Sequence, residues 1–205
     1  MNSKDLKETY NIIAKDWTRD HKDDTWFFEG TNAFLSMLKP GVKILDVGCG
    51  SGLKSKMIKD RGFQVDAFDF SEEMITIAKE SYPDINFSVF DIYDLDKWQG
   101  AYDAIFAQAV LLHIPKKDIE KILNLMILKL NKNGLLYVAV KEVKDDAVEE
   151  KIIKESDYGY EYERFFSYYS VEEIKNLLEK AGMEVTYFHE KEPLSKWIQI
   201  ISRKI

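Results

Sequence analysis

Short apolar runs alternate with stretches of helical periodicity along most of the chain. Residues 42–47 (VKILDV) form a β-branched run after Pro40-Gly41, which predicts a buried strand. Helical spacing follows over 53–60 and stops at Gly62, and residues 63–69 (FQVDAFD) predict a second strand. Ser71 is a good N-cap, with Glu72 and Glu73 in the first turn of a helix reaching about Ser81. Tyr82-Pro83 ends that helix, and residues 85–90 and 102–107 predict the third and fourth strands. A broad apolar face over 116–130 predicts a helix closed by Asn133-Gly134, and 135–140 predicts a fifth strand. Ser170 and Glu173 form a capping box for a helix ending at Ala181-Gly182. Residues 183–188 and 197–202 predict two last strands, whose connection around Pro193 is too short for a helical crossover, so they should pair as a hairpin. Such alternation predicts an α/β fold with a doubly wound, mostly parallel sheet and helices on both faces.

Composition narrows the class. The chain has 205 residues, 45% hydrophobic and 32% charged, which excludes a disordered or collagen-like polymer. No repeat or Pro/Gly-rich linker marks a boundary, so 1–205 reads as one domain. Residues 1–40 would be a helical N-terminal cap, and 142–169 an aromatic-rich insertion after strand five. Acidic residues outnumber basic ones 36 to 29, for a formal charge of −7. That balance argues against nucleic acid or anionic lipid, because phosphate neutralisation needs clustered Lys and Arg. The N-terminus lacks the apolar segment of a signal peptide, and no apolar stretch approaches the roughly 20 residues of a membrane span. The one cysteine, Cys49, has no disulfide partner and no Cys cluster for zinc, so a cytoplasmic setting and no metal are expected.

Candidate chemistry gathers at the carboxyl ends of the first strands. Asp46-Val-Gly48-Cys49-Gly50-Ser-Gly52 has GxGxG spacing, and the third glycine of a dinucleotide fingerprint would fall at Leu53. Asp69 ends strand two, where open α/β sheets place a ribose-binding carboxylate, and Asp91 ends strand three. One strand-end aspartate is commonly a turn former. Three beside a glycine loop suggest a ligand crevice.

Residues 44–52 (ILDVGCGSG) resemble the first motif of the class I S-adenosylmethionine-dependent methyltransferases. Residues 69–74 (DFSEEM), Asp91-Ile92 and Leu112-His113 follow in that family's order, and the likeness runs from about Tyr10 to the last strand. The resemblance implies a Rossmann-like, seven-stranded sheet with an antiparallel last strand. It implies S-adenosylmethionine as cofactor, S-adenosylhomocysteine as product, and a small-molecule methyl acceptor. By the same resemblance Gly48, Cys49, Gly50 and Gly52 pass under the methionine part, with Asp46 near its ammonium. Asp69 would accept from both ribose hydroxyls, a bidentate role suited to a carboxylate. Phe70 and Met74 would pack on the adenine, Asp91 and the Ile92 backbone would meet its edge, and Gln108 would lie near the methionine group. Phe70 and Met74 also suit plain helix–sheet core, and Cys49 suits a tight turn.

Methyl transfer to an oxygen, nitrogen or carbon is a direct displacement that depends on in-line positioning. A base is needed only for a protonated acceptor, and His113 is the candidate, with a structural turn histidine before Pro115 as the other reading. His21 and His189 are less well placed. Trp17, Trp26 and the aromatic run over 158–169, including Tyr168, could form the acceptor pocket or pin a long loop. Tyr10 matches a family position near the cofactor carboxylate, though an amphipathic helix also accounts for it. Two other classes stand beside methyl transfer: a non-catalytic S-adenosylmethionine-binding module, and a nicotinamide-dependent oxidoreductase. The GxGxG spacing and the lack of a Ser/Tyr-x-x-x-Lys pair after strand four count against the latter.

Overall fold

Two helices, α1 (Ser3–His21) and α2 (Phe28–Ser36), precede β1 (Lys43–Val47) in the computed structural model, which describes residues 3–143, 148–190 and 197–205. Then come α3 (Leu53–Asp60), β2 (Gln64–Asp69), α4 (Glu72–Ser81), β3 (Asn86–Val89), β4 (Tyr102–Gln108), α5 (Lys116–Leu128) and β5 (Leu130–Lys141). The remaining elements are β6 (Glu150–Glu155), β7 (Tyr162–Ser167), α6 (Val171–Lys180), β8 (Met183–Glu190) and β9 (Trp197–Lys204).

Seven strands form one sheet in the order β3-β2-β1-β4-β5-β9-β8. The first five pair parallel, and β9 runs antiparallel between β5 and β8. The order reverses between β1 and β4, which opens a crevice at their carboxyl ends, where open α/β sheets bind ligands.

Period-two alternation assigns the two faces. Leu45, Val47, Ile105, Leu136 and Val138 pack on one side with Ile119, Ile122 and Met126 of α5 and Ile174 and Leu178 of α6. Their neighbours Ile44, Phe106, Leu135 and Tyr137 face the other side and meet Phe34 of α2 and Ile58 of α3. Helices therefore cover both faces, and near-continuous burial along β4 and β5 follows from that double cover. Ser71 caps α4 by accepting from the Met74 N–H at 3.1 Å, and the Ser170–Glu173 capping box opens α6.

Two sequence expectations need correction. Helix α5 ends at Leu128, and Asn133-Gly134 lies inside β5. Asn133 adopts φ +62° there, beside a register shift in the β4–β5 ladder, so the Asn-Gly signal marks a strand irregularity. The segment read as a long aromatic loop holds an antiparallel hairpin, with Glu150 opposite Ser167 and Glu155 opposite Tyr162. The connection around Pro193 lies outside the described residues.

Candidate functional site

A cavity of about 860 Å³ opens at the switch point between β1 and β4. Its floor is the turn after β1, where Gly48 and Gly50 take φ +65° and +54°. A side chain on Gly48 would meet Val110 Cγ2 at 2.4 Å, so the close approach of the turn after β4 requires glycine. That second turn is itself unusual: Ala109, immediately after β4, has φ +58°, a left-handed conformation that turns the chain toward His113.

Three carboxylates stand at the carboxyl ends of adjacent strands. Asp46 is buried and accepts from Ser55 Oγ at 2.5 Å, and burial raises its pKa from 3.8 to about 7. Asp69 bridges two turns, accepting from the Gly50 N–H and the Ser71 N–H at 2.9 Å each. Burial raises its pKa to about 6, although those N–H groups favour the ionised form. The Phe70 N–H acts on the same carboxylate, so backbone donors fix its orientation on the cavity wall. Asp91 caps the turn after β3 by accepting from the Tyr93 N–H at 3.0 Å.

Gln108 ends β4 on the cavity wall, and its amide oxygen is buried with no hydrogen-bond partner. A buried, unsatisfied acceptor facing a cavity costs free energy until a donor arrives. Phe70, Met74 and Ile92 complete the wall beside Asp69 and Asp91. The residues thus offer buried carboxylates and an orphaned carbonyl to a ligand rich in donors and positive charge. An ammonium, a sulfonium and a ribose diol meet those requirements.

Helix α1 closes the cavity from above. Asn11 accepts from Ser71 Oγ at 2.7 Å, Thr9 Oγ1 donates to the Glu163 carbonyl at 3.0 Å, and Trp17 lies 3.5 Å from the position a Gly50 side chain would take. Trp17 stacks on His21 at 4.3 Å, and Trp26 stacks on Trp197 at 3.9 Å; all four line the cavity.

Asp46, Gly48, Cys49, Gly50, Asp69, Phe70, Met74, Asp91, Ile92, Gln108, His113, Tyr10, Trp17 and Trp26 all line this one cavity, whereas Gly52 and Tyr168 do not. Gly52 is the N-cap of α3, with φ +80°, and a side chain there would strike Phe87 at 2.6 Å. Tyr168 lies just beyond the end of β7 and rests on Phe166, with Lys151 over its ring at 5.1 Å. Tyr158 and Tyr162 stack at 5.5 Å, and Tyr160 Oη donates to Asp16 at 2.9 Å, so these rings fasten the hairpin to itself and to α1. The Cys49 thiol packs among Ala67, Ile75 and Ala78, and burial pushes its pKa up, which is the opposite of an activated nucleophile.

His113 is held at both nitrogens: Nδ1 lies 2.7 Å from the Phe165 carbonyl oxygen and Nε2 lies 2.7 Å from Tyr10 Oη. Burial, together with the charges of Arg164 and Lys141, depresses its pKa to about 3, against the hydrogen bond it donates to the Phe165 carbonyl. Arg164, Lys141 and Lys54 line the cavity without a distinctive sequence signal. The placement of Arg164 and Lys141 depends on the hairpin and on the end of β5, which alternation alone does not orient.

A family model described as a methyltransferase domain matches residues 19–187. Over 81 residues the chain is 37% identical to the ubiquinone biosynthesis O-methyltransferase of Xanthomonas campestris pv. campestris, covering 37% of this chain and 34% of the relative. Over 84 residues it is 34% identical to the chloroplastic magnesium protoporphyrin IX methyltransferase of Arabidopsis thaliana, covering 39% of this chain and 27% of the relative. The match spans about a third of the length of these curated relatives. Among solved structures, a Burkholderia thailandensis 1,6-didemethyltoxoflavin-N1-methyltransferase, with 1,6-didemethyltoxoflavin and S-adenosylhomocysteine bound, has a TM-score of 0.76 at 16% identity, over 97% of this chain and 87% of that one. The magnesium protoporphyrin IX methyltransferase of Synechocystis, with its S-adenosylmethionine bound, has a TM-score of 0.70 at 16% identity, over 98% and 95% of the two chains. At these identities the likeness concerns the fold.

Proposed function

The chain belongs to the methyltransferase-domain family, and on that premise we propose that it transfers the methyl group of S-adenosylmethionine to a small-molecule acceptor in the cytoplasm. The observation that carries this reading is the facing of Asp46, Asp69 and the partnerless Gln108 oxygen into one cavity over a left-handed glycine turn. The named relatives support it, as do two structural neighbours, one with S-adenosylhomocysteine bound and the other with S-adenosylmethionine.

When bound, the cofactor supplies an electrophilic methyl group on a sulfonium. The chain's residues bind and orient. Asp46 meets the ammonium, whose charge compensates the burial that raises the carboxyl pKa. Asp69, its carboxylate oriented by the Gly50 and Ser71 N–H groups, would accept from the ribose hydroxyls. Phe70, Met74 and Ile92 flank the base, with Asp91 at its edge, and Gln108 receives a donor from the methionine part. Tyr10, Trp17 and Trp26 enclose the cavity from the N-terminal side, where enclosure excludes water from the displacement. We read residues 1–205 as one catalytic domain, with 1–40 as its cap and 142–169 as the insertion that walls the acceptor side, and without a nucleic-acid or membrane partner. No helix among the described residues is long and apolar enough to cross a membrane.

Titration calorimetry with S-adenosylmethionine and S-adenosylhomocysteine tests the reading directly. Saturable binding of both is expected. Absence of binding by either at high micromolar concentration overturns it, and labelled-methyl transfer to a panel of small acceptors then separates an enzyme from a binding module.

A further inference from the structure

Lys54, Lys117, Lys141 and Arg164 all line the cavity, and they differ in what already holds them. Arg164 is clamped by Glu155, donating from Nε and Nη2 to its two oxygens at 2.6 Å each. Lys141 is engaged on the hairpin side, with Nζ 4.2 Å from the ring centroid of Phe166. Lys117 is exposed at the start of α5. Lys54 is different. It is partly buried in the first turn of α3, with Nζ 4.6 Å from the ring centroid of Phe27. An aromatic face holds a cation without supplying an oxygen acceptor. Among the described residues Lys54 Nζ makes no hydrogen bond and no ion pair, so its three donors are unspent.

This cation sits beside Asp46. Ser55, the next residue, donates to Asp46 Oδ2 at 2.5 Å, so one turn of α3 both carries the ammonium and orients the carboxyl. Each acts on the other: Asp46 favours the charged form of Lys54, and Lys54 favours the ionised form of Asp46, both against burial. Asp24, on the segment between α1 and α2, also acts on Lys54 without forming an ion pair with it. Opposite charges held apart on one wall match a ligand group that carries both, and an α-amino acid bears an ammonium and a carboxylate on one carbon. Tyr10 is not free for such a carboxylate. His113 Nδ1 meets the Phe165 carbonyl, which only accepts, so Nδ1 carries the ring proton and Nε2 takes the phenol proton of Tyr10 at 2.7 Å.

We propose that Lys54 is a cofactor-binding residue whose ammonium receives the carboxylate of the methionine part while Asp46 receives its ammonium. This rests on the S-adenosylmethionine reading of the same cavity. The ligand carboxylate supplies the acceptor that Lys54 lacks, and Asp46 gains a cation in the same event. With both substituents of its α-carbon held, the methionine arm is anchored at one end and the ribose at the other by Asp69. The sulfur between them then has little freedom to turn, which aims the methyl group.

The test is calorimetry on the full chain with S-adenosylmethionine and its decarboxylated analogue, which keeps the nucleoside, sulfonium and ammonium and lacks only the carboxylate. The unaltered chain should bind S-adenosylmethionine about tenfold or more tighter than the analogue, as expected for hydrogen bonds between charged groups. Lys54→Met should remove most of that preference. S-adenosylmethionine should weaken about tenfold, while the analogue stays within about twofold or binds tighter, because a cation repelling its ammonium is gone. Misfolding would weaken both alike, and a urea melt shows whether the variant folds; if it does not, the comparison on the unaltered chain decides alone. Equal affinity of the unaltered chain for the two ligands, or a folded Lys54→Met that keeps the full preference, overturns the proposal. Failure of both S-adenosylmethionine and S-adenosylhomocysteine to bind at all is a different result, and it strikes the cofactor reading itself.

Discussion

Tyr10 Oη and His113 Nε2 stand 2.7 Å apart, although 103 residues separate them in the chain. The bond joins the middle of α1 to the turn after β4, and through Nδ1 it reaches the hairpin at the Phe165 carbonyl. Three segments with no mutual pairing in the main sheet thereby meet on one imidazole. The order of the cavity roof depends on that ring keeping its Nδ1–H tautomer.

His113 is expected to remain neutral in that tautomer down to about pH 5. Its folded pKa of about 3 lies below its ordinary value of 6.5, so the unfolded chain binds more protons between those values. Its contribution to stability is thus complete above about pH 6.5 and is lost as pH falls toward 3. Nitrogen-15 NMR of labelled histidine should show a protonated Nδ1 and a bare Nε2 from pH 8 to 5. A ring that titrates near 6.5 would sink the assignment. Tyr10→Phe should cost about 1–2 kcal/mol in chemical denaturation, because it leaves Nε2 without its donor.

The sheet was legible because it needed only local information. Val47, Phe68 and Ala107 sit in runs bounded by Gly, Pro or cap residues, and double burial left those runs apolar. The cofactor half was legible for a similar reason: Asp46, Asp69 and Asp91 are strand ends, and strand ends in a doubly wound sheet converge by topology. The acceptor half was not. The β6 sequence EKIIKE is mostly exposed and charged, so its pairing with β7 stands against propensity and left no readable pattern. Arg164 carries meaning only through that pairing, Lys141 only through its place at the end of β5, and Tyr168 drew attention by composition although it lies outside the cavity. The odd backbone of Ala109 leaves no trace in an Ala residue at all.

Cofactor binding should release a proton below pH 7. Asp46 titrates at about 7 in the ligand-free chain, and a bound ammonium favours its ionised form. Affinity for S-adenosylhomocysteine should therefore rise from pH 5.5 to about 7 and then level off. Calorimetry in buffers of different ionisation enthalpy reads the proton directly. Asp46→Asn should weaken binding and abolish the release; an unchanged proton count would refute the role. In the ligand-free chain the raised pKa has the reverse consequence for folding. The carboxyl is best accommodated when protonated, so its contribution is full below about pH 4 and is lost as pH rises to about 7.

Asp69→Ala removes the acceptor of the Gly50 and Ser71 N–H groups as well as the ribose partner. Affinity for S-adenosylhomocysteine should fall about 30-fold or more, given roughly 1.5–3 kcal/mol for each hydrogen bond to a charged group. Asp69→Asn retains one acceptor oxygen and should lose less. Equal affinity in wild type and Asp69→Ala would remove Asp69 from the site.

Gly48→Ala should destabilise the fold through two separable effects. One is the left-handed φ of +65°, which costs a residue with a side chain about 1–2 kcal/mol. The other is the collision with Val110 Cγ2 at 2.4 Å. Adding Val110→Ala relieves only the second, so the double variant should recover part of the lost stability in urea denaturation. Strict additivity of the two substitutions would show that Val110 is not the obstacle.

Gln108→Met should separate folding from binding in opposite directions. The Gln108 amide oxygen is buried with no partner in the ligand-free chain, and an apolar side chain of similar length removes that unsatisfied acceptor. Ligand-free stability should stay level or rise by about 1 kcal/mol, as happens when a functional group held at a cost is replaced. Affinity for S-adenosylhomocysteine should fall, because the donor that Gln108 awaits then meets a thioether. The paired measurement is a urea melt without ligand and a calorimetric titration with it. A destabilised variant that binds normally would mean the oxygen is already satisfied within the protein, and Gln108 would then belong to the wall and not to the ligand.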